Sequence, residues 1–569
     1  MAKRPANLIY GVDEGPGTGS LLLLGFQHIF ILSIAFIFPV VIVDAIGGTP
    51  DQAQKLISTA MVATGIATIL QGLNNRYIGS GYLCPLLNGP AFLSASLLAG
   101  KAGGLSLIFG MTAIGGAFEA LFSRIVPRLR ALFPAEVTGT IVTMVGIEII
   151  PLAVTRFQGI DRTNTVADPV AVTVGFITLI AMVGFNVWGK GRLRLYSVLI
   201  GMAVGYVAAS FTGILTAKHL GQLLNTPIFK APSFGEYGLS FNAALLIPFL
   251  VATLSSALKT MGDLTICQKI NDAEWKRPDM KSISRGILAS AAGNLVSGFT
   301  GALGQSVSSS NVGLSIATGA TSRRIAYSIG GILIFSAFFP GLASIFVIMP
   351  TPVMGASLIF SASFMILAGI QIITSRMIDA RKTFVIGISV VFGLSVDLVP
   401  GLFKHTHPWI QPFFSSSLSL ATVCAIILNL FLRIGISKSA EIELRPGVDS
   451  SDKVFTFMEH HGSQWGALKD VVYRAASVIN EFLESVSRSG ISEEDLKVHV
   501  TFDEFNLDVY ISYNGLPVRF SEKQPSTTEL LQDENPLPAL SSFLMSKNTD
   551  SIKSSVKGEQ CRVHFHFDH

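Results

Sequence analysis

Charged residues are scarce in this sequence: Asp, Glu, Lys and Arg make up only 14% of its 569 residues, against about 25% in soluble proteins. Cysteine is rare too. The four cysteines are Cys84, Cys267, Cys424 and Cys561. Their scattered spacing argues against a disulfide framework or a thiolate metal site. Although the net charge is +4, no basic patch with interleaved aromatic residues occurs, which argues against nucleic-acid binding. Residues 1–19 are polar and Gly-rich and do not resemble a cleavable signal peptide.

Hydrophobic residues, in contrast, make up 50% of the chain. Apolar runs of 18 or more residues recur from Ser20 to Gly435, and each is long enough to span a bilayer. We therefore predict an all-α polytopic membrane protein of about fourteen segments. The predicted segments are 20–44, 52–73, 80–99, 104–124, 135–155, 168–188, 194–215, 242–266, 286–303, 306–320, 325–349, 351–374, 382–399 and 415–434.

The distribution of Lys and Arg tests this count, because cytoplasmic loops of membrane proteins are enriched in positive charge. With the N-terminus in the cytoplasm, the alternate loops on that side hold 21 Lys and Arg residues and the opposite loops hold seven. Omitting any one segment would destroy this alternation. The sequence therefore predicts a multi-pass protein of the cell (inner or plasma) membrane with both termini in the cytoplasm.

Two of the predicted segments are interrupted. The third contains Gly81, Pro85, Gly89 and Pro90, and the tenth contains the polar run 308–311. Such residues at membrane depth indicate extended chain leading into a half-helix, buried in protein or lining a cavity. Interruptions at matching places in two halves of seven segments are typical of an inverted repeat, with halves at about 20–215 and 242–435. Two unrelated kinked helices are the alternative.

The composition changes at about Ala440, after which no run could span a membrane. Residues 465–486 have helical periodicity, and residues 497–503, 506–513 and 561–567 alternate like strands. We therefore predict three regions: a cytoplasmic N-terminus at 1–19, a transporter domain at 20–438, and a cytoplasmic α+β domain at 440–569 with a regulatory role.

Four motifs occur in order along the membrane region. They are Gln27-His28, Phe-Pro-Ala-Glu-Val-Thr-Gly-Thr at 133–140, the set Asn311, Gly313, Thr318 and Gly319, and Met-Pro-Thr-Pro-Val-Met-Gly at 349–355. Together they resemble the nucleobase–ascorbate transporter (xanthine–uracil permease) family. The resemblance implies fourteen segments in two inverted repeats, divided into a core and a gate domain. It also implies a homodimer without enzymatic activity or cofactor.

The resemblance further implies that substrate lies between the extended parts of segments three and ten, beside helix eight. It assigns Phe92 to stack on a base and places Ala91 beside it. From the tenth segment it assigns Ser310, Asn311 and Gly313, although Ser310 replaces the family's Gln, Glu or Pro. The alternatives are that Phe92 is ordinary core packing and that Asn311 only ties its loop.

Helix eight departs from the family pattern, which has Glu four residues before Asp or His. Here Lys259 takes the place of the glutamate, and Asp263 matches. A lysine at membrane depth requires a partner. One interpretation pairs it with Asp263, one helical turn away. The other directs it to an anionic group of the substrate, with Asp263 holding it in place. Glu148 is a third candidate partner, unless it faces a helix interface.

Three further residues have expected supporting roles. By resemblance, His28 and Gln27 in the first helix and Thr318 in the tenth segment stabilise the site. We interpret His28 as a satisfied core histidine in preference to a proton carrier. Glu119, close to Arg124, is expected at the membrane interface.

The tail weakly resembles the ATP-binding fold of histidine kinases and anti-sigma kinases. The metal-binding Asn of that fold would fall at Ser485, and its Asp-x-Gly is replaced by residues 513–516, so we expect no ATP hydrolysis. His564, His566 and His569 raise the question of a metal. We favour one face of a strand and a frayed end, and predict no metal site.

The sequence therefore predicts a secondary active transporter of a purine or pyrimidine nucleobase or a related, potentially anionic heterocycle. By resemblance the coupling ion is the proton, carried by Asp263, with Na+ as the other option. The expected partners are the small-molecule substrate, the coupling ion, the lipid bilayer and a second copy of the chain. Two alternatives remain: an anion transporter related to sulfate permeases, and a membrane sensor that signals through its tail.

Overall fold

The computed structural model divides the chain into two compact units, Met1–Leu432 and Arg433–His569. The structure describes residues 4–6, 8–126, 133–160, 166–189, 196–216, 221, 226–273, 275, 278–374, 378–399, 401–403, 411–414, 416–433, 435, 437–489, 495–503, 506–518, 520, 537–557 and 560–568. Each unit has its own hydrophobic core.

The first seven predicted segments correspond to eight α-helices and one short strand. These are α1 (Thr18–Leu32), α2 (Ile37–Ala45), α3 (Pro50–Gly72), β1 (Leu86–Asn88), α4 (Leu93–Ile125), α5 (Ala135–Glu148), α6 (Ile150–Phe157), α7 (Pro169–Val187) and α8 (Ser197–Phe211). The first segment is α1 and α2 joined by a 3-10 turn, and the fifth is α5 and α6.

The second seven segments follow the same plan. They are α9 (Leu246–Asn271), α10 (Met280–Thr300), β2 (Gln305–Val307), α11 (Ser309–Thr318), α12 (Arg324–Ser336), α13 (Pro340–Val347), α14 (Thr351–Ile373), α15 (Ala380–Leu398) and α16 (Ser417–Leu432). In both halves the third segment is therefore a short strand followed by a half-helix. This is the interruption that the glycines, prolines and serines predict.

Local sequence signals set several of these boundaries. Thr49 and Gln52 form a reciprocal capping box at the start of α3, with Pro50 in its first turn. Asp168 caps α7 and Asp279 caps α10. Gly104, with φ +72°, breaks the helical path inside α4. Glycine alone adopts this conformation without strain, so the third segment ends there and the fourth begins.

By length and hydropathy, seven of the described helical spans could each cross a membrane. The number becomes eight if α12 and α13, bent by 86° at their junction, form one span. The remaining predicted segments are covered by shorter or more polar helices, α8, α10, α11, α15 and α16. A segment that packs inside a bundle needs less apolar surface than one surrounded by lipid.

The helices of the first unit form two bundles, which we term the core and the gate. In the core bundle, α10 packs on α3 and α4, and α12 packs on α1 and α3. In the gate bundle, α14 packs on α5, α6 and α7. The backbones approach closely, since a Cβ atom on Gly116 would lie 2.8 Å from the amide nitrogen of Leu295, and one on Gly369 would lie 2.4 Å from that of Thr143. Small residues at such crossings are typical of membrane helices.

The second unit is a two-layer α+β domain. Its strands are β3 (Lys438–Leu444), β4 (Leu496–Phe502), β5 (Asn506–Asn514), β6 (Ser551–Lys557) and β7 (Gln560–Asp568), and its helices are α17 (Ser451–Trp465), α18 (Lys469–Ser489) and α19 (Leu537–Asn548). The sheet is antiparallel in the order β3-β4-β5-β7-β6. Alternate residues such as Val500, Val509 and Phe565 are buried with Phe482 of α18. The opposite face of the sheet carries the polar residues.

Candidate functional site

The two interrupted segments meet as a two-stranded antiparallel sheet inside the first unit. Leu86 pairs with Val307, Leu87 with Ser306, and Asn88 with Gln305. Hydrogen bonds extend the pairing at both ends, from the Gly89 amide to the Gly304 carbonyl (2.7 Å) and from the Ser308 amide to the Pro85 carbonyl (2.9 Å). Both strands are short, and each leads into a half-helix at membrane depth. Substrate sites of transporters occur at such places.

Helix α9, the predicted helix eight, is attached to this pair through β2. The Ser256 hydroxyl donates to the Gln305 carbonyl (3.2 Å), and the Lys259 ammonium donates to the Val307 carbonyl (2.8 Å). Lys259 and Ser256 are therefore held on the same side of β2. The sequence-based placement of helix eight beside the interrupted segments agrees with this geometry.

A small cavity, with room for about one water molecule in this conformation, lies where the strand pair and α9 of the core face the gate. The core contributes small and polar groups, and the gate contributes apolar side chains. The lining residues are Pro90, Ala91, Ser255, Ser256, Lys259 and Ser306 from the core and Val142, Val145 and Met365 from the gate.

Ser306 is a cavity residue that sequence reasoning did not single out. Its hydroxyl is buried and has no hydrogen-bond partner among the described residues, and the residue lines the cavity. A buried hydroxyl without a partner costs free energy, so a ligand that bonded to it would recover that cost. The position of Ser306 in β2, opposite Leu87, follows from the strand register, which the sequence does not specify.

Lys259 lines the cavity, but it does not pair directly with either carboxylate considered from the sequence. Asp263 instead accepts a hydrogen bond from the Ser309 hydroxyl (2.9 Å), and no ion pair within 4.0 Å joins it to Lys259 in the described structure. Glu148 lies near Ser94 and Ser416 rather than beside Lys259. The carbonyl of Val307 thus satisfies one of the three Lys259 donors, and the charge is left without a contacting anion.

His28 and Asn311 form a buried chain of hydrogen bonds with Ser308. The His28 Nδ1 atom lies 2.7 Å from the Asn311 Oδ1 atom, and the Asn311 amide donates to the Ser308 hydroxyl at 2.8 Å. All three side chains are buried. In this conformation the amide of Asn311 ties helix α1 to the start of α11 and does not line the cavity.

Other predicted site residues also lie off the cavity wall. Phe92 is 1% exposed, and its ring packs so closely on Gly304 that a Cβ atom there would lie 2.4 Å away. Ser310 and Gly313 are exposed on α11. The Thr318 hydroxyl bonds the Leu314 carbonyl within that helix. Gln27 is buried on α1. Of the predicted substrate-binding residues, Ala91 and Lys259 line the cavity.

Glu119 lies elsewhere than the sequence suggests. It is fully buried, not interfacial, and accepts a hydrogen bond from the Asn294 amide (2.7 Å). The Asn294 Oδ1 atom in turn accepts from the amide of Gln305 in β2 (2.5 Å). The Gln305 side chain continues this chain to Asn88 (3.0 Å). Glu119 therefore belongs to the polar support of the strand pair, which only the packing of α4 on α10 makes visible.

The arrangement combines a cation, hydroxyl groups and backbone dipoles on one wall with apolar side chains on the other. The polar wall belongs to the core and the apolar wall to the gate. The donors on the core wall suit the acceptors of a polar ligand, and the site lies between the two bundles.

Comparison with known proteins identifies the family. The sequence model of a permease family, Xan_ur_permease, matches residues 19–402. The chain belongs to this family. The membership confirms the resemblance drawn from the motifs, and it makes the protein a multi-pass membrane transporter rather than an enzyme. The predicted all-α polytopic fold with two sets of seven segments, followed by an α+β region, is likewise confirmed.

Relatives cover most of the permease's membrane region. A Clostridium perfringens (strain 13 / Type A) protein named as a purine permease, CPE0397, is 29% identical over 433 residues, 75% of this chain and 93% of that protein. The xanthine permease XanP of Escherichia coli (strain K12) is 26% identical over 439 residues, covering 75% and 94%. The nucleobase transporter PlUacP of Paenibacillus larvae subsp. larvae is 27% identical over 427 residues, covering 74% and 96%.

Proposed function

We propose that this permease carries a purine or pyrimidine nucleobase, or a closely related heterocycle that binds as an anion, across the membrane. The observation that carries the proposal is Lys259, which lines the cavity between core and gate with no carboxylate of the described residues in contact. An ammonium group in this place favours a ligand with a negatively charged ring oxygen or nitrogen. The relatives' names, which specify purine, xanthine and nucleobase, support a heterocyclic ring as the substrate.

Transport is coupled to protons in this proposal, and Asp263 is the carrier. Asp263 lies one helical turn from Lys259 and accepts a hydrogen bond from the hydroxyl of Ser309 at the start of α11. A change of charge on Asp263 would therefore alter its electrostatic interaction with Lys259 and its hydrogen bond to the half-helix α11. The core bundle would then move against the gate to alternate access.

The test is uptake by the full-length protein in liposomes. Labelled uracil, xanthine, urate, sulfate and a dicarboxylate are offered with and without an inward proton gradient, and then with a Na+ gradient. We expect saturable, proton-stimulated uptake of an oxopurine or pyrimidine. Uptake of sulfate or dicarboxylate alone would overturn the proposal in favour of an anion transporter, which Lys259 also suits. Binding of a base without uptake would favour a sensor.

We further propose that the protein acts as a homodimer in the cell inner or plasma membrane, with both termini in the cytoplasm. The charge alternation along the loops supports this orientation. Cysteine labelling of single-cysteine variants at exposed Tyr77 and Lys101, which fall on opposite sides in this topology, would test it. Labelling of both from the same side would contradict it.

In the same proposal the C-terminal unit regulates transport. It has its own core and a polar sheet face, so it can fold as a separate unit and present polar groups to a ligand. Nothing in this role requires ATP hydrolysis.

A further inference from the structure

One cluster in the C-terminal unit has the composition of a metal site. Asp508 of β5 and His564 and His566 of β7 place one ligand atom each within 4.8 Å of the others. The Asp508 Oδ1 atom is 2.7 Å from His564 Nε2 and 2.7 Å from His566 Nδ1. Two imidazoles and one carboxylate form the donor set that Zn²⁺ and related divalent transition cations prefer.

The strand register explains why these residues converge. In the antiparallel β5–β7 pair, Asp508 is opposite His566 and Tyr510 is opposite His564. His564 and His566 are two residues apart, so both project from the polar face of the sheet. Their neighbours Val563, Phe565 and Phe567 are buried in the core of the domain. The ligand positions are therefore fixed by a packed sheet and not by a loop, which favours a preorganised site.

Groups around the cluster would orient the two imidazoles. The ring of Tyr510 stacks on His564, with centroids 4.5 Å apart and planes 8° from parallel. Asp568 Oδ1 lies 3.3 Å from His566 Nε2, the ring nitrogen that a metal bound at Nδ1 would leave free to donate. A carboxylate that accepts from a ligating histidine is the usual outer support of zinc sites.

A metal ion in solution could reach the cluster. The side chains of Asp508, His564 and His566 are 20%, 22% and 27% exposed. A bound cation would thus be partly shielded and would keep a position open to water or another ligand. Lys553 of the neighbouring strand β6 lies opposite His564 in the strand register, and its side chain is exposed to solvent.

We propose that Asp508, His564 and His566 form a binding site for one divalent transition cation of the Zn²⁺ type in the C-terminal domain. This site is separate from the transport cavity and does not depend on the proposed function. His564 and His566 do lie on one face of a strand, as the sequence predicts, and the proposal adds a metal ion to that face. His569, the third histidine of that interpretation, lies outside the described residues.

The test uses full-length protein purified in detergent with a tag free of histidine and stripped with a chelator. Zn²⁺ is titrated by competition with a fluorescent chelator, and Co²⁺ is added as a spectroscopic probe of tetrahedral nitrogen and oxygen ligation. We expect one equivalent of Zn²⁺ to bind in the wild type. His564→Ala and Asp508→Asn should each weaken binding at least tenfold, and Asp568→Asn should weaken it less. His499→Ala is the matched control, because His499 lies on the same sheet face but pairs with Glu441.

Circular dichroism and gel filtration establish that each variant is folded. If His564→Ala does not fold, His566→Gln, which keeps a polar side chain of similar size, replaces it. The proposal is overturned if the wild type binds no stoichiometric Zn²⁺. It is equally overturned if folded variants of the cluster bind as tightly as the His499→Ala control.

Discussion

At the scale of single residues, the charge of Lys259 is the feature that sets this permease apart. Its one hydrogen bond to a carbonyl satisfies a donor but does not neutralise the ammonium group. A half-buried cation with no contacting anion among the described residues is expensive in a membrane protein. An anionic ligand would remove this cost during each transport cycle, which is why the residue is informative about substrate and not only about folding.

Replacing Lys259 with Met should reduce uptake of an anionic substrate about tenfold or more. A hydrogen bond to a charged group contributes about 1.5–3 kcal/mol, and each 1.4 kcal/mol is tenfold in affinity. Lys269→Met is the control, since Lys269 is exposed near the end of the same helix. Lys259→Glu, which introduces the family's residue, should abolish uptake of the native substrate. Unchanged uptake and selectivity in both variants would place Lys259 outside the site.

Ser306→Ala should raise the KM for substrate about two- to tenfold while the protein remains as stable as the wild type. The reason is that the Ser306 hydroxyl has no partner in the described structure to lose, whereas a neutral hydrogen bond to substrate contributes about 0.5–1.5 kcal/mol. Ser357→Ala, which removes a buried hydroxyl bonded within α14, is the control. A wild-type KM in Ser306→Ala would show that substrate does not use this group.

Asp263→Asn should abolish proton-driven accumulation but preserve exchange of substrate across the membrane. Asparagine keeps an acceptor for the Ser309 hydroxyl but cannot take up a proton. Ser309→Ala, which removes the hydrogen bond and leaves the carboxyl group, should retain some accumulation. Both activities are measured in the same liposomes, and normal accumulation by Asp263→Asn would remove this residue from the coupling role.

How much of the site the sequence could predict depends on where each residue's partner lies. Lys259 and Asp263 were recognisable because they are charged residues within one apolar segment. Glu119 was not, since its partner Asn294 is 175 positions away, and only the packing of two helices shows that the carboxyl group is buried. The place of Ser306 on the cavity wall depends on the strand register, and apolar periodicity does not determine the register of such short strands.

At the scale of elements, the strand pair is held by the close contact between Phe92 and Gly304. Gly304→Ala should destabilise the protein by about 1–3 kcal/mol, the usual cost of overpacking, because the new methyl group would meet the Phe92 ring at 2.4 Å. Gly331→Ala, where nothing lies within 4 Å, is the control. Thermal unfolding in detergent measures the difference, and equal melting temperatures would show that the contact relaxes easily.

Element boundaries in the membrane region were predictable because long apolar runs and helix breakers are strong local signals. The third and tenth segments were correctly expected to contain extended chain, as β1 and β2 now show. In the tail, α18 and strands β4, β5 and β7 were expected, but β3, α17, α19 and β6 were missed. Strand β3, for example, has exposed charges at Glu441 and Glu443 and one buried position, Leu444, so its alternation is weak, and pairing with β4 determines it.

At the scale of the whole molecule, the chain joins a permease to an independent α+β unit. The family model covers residues 19–402, so the family's membrane architecture accounts for most of the first unit. Each unit buries its own set of apolar side chains. Folding of the membrane region therefore does not require the tail to complete a core.

A chain that ends at Gly435 should insert, remain monodisperse in detergent and take up substrate at a rate similar to the full-length protein. This point precedes β3, so no strand of the second unit is left behind, as a cut at Glu441 would leave one. Residues 433–569 expressed alone should fold, because they enclose a complete core, and should show no ATPase activity. Uptake in liposomes, gel filtration and phosphate release measure these outcomes. If the shortened permease is inserted and monodisperse but transports nothing, the C-terminal unit is part of the transport machinery rather than its regulator.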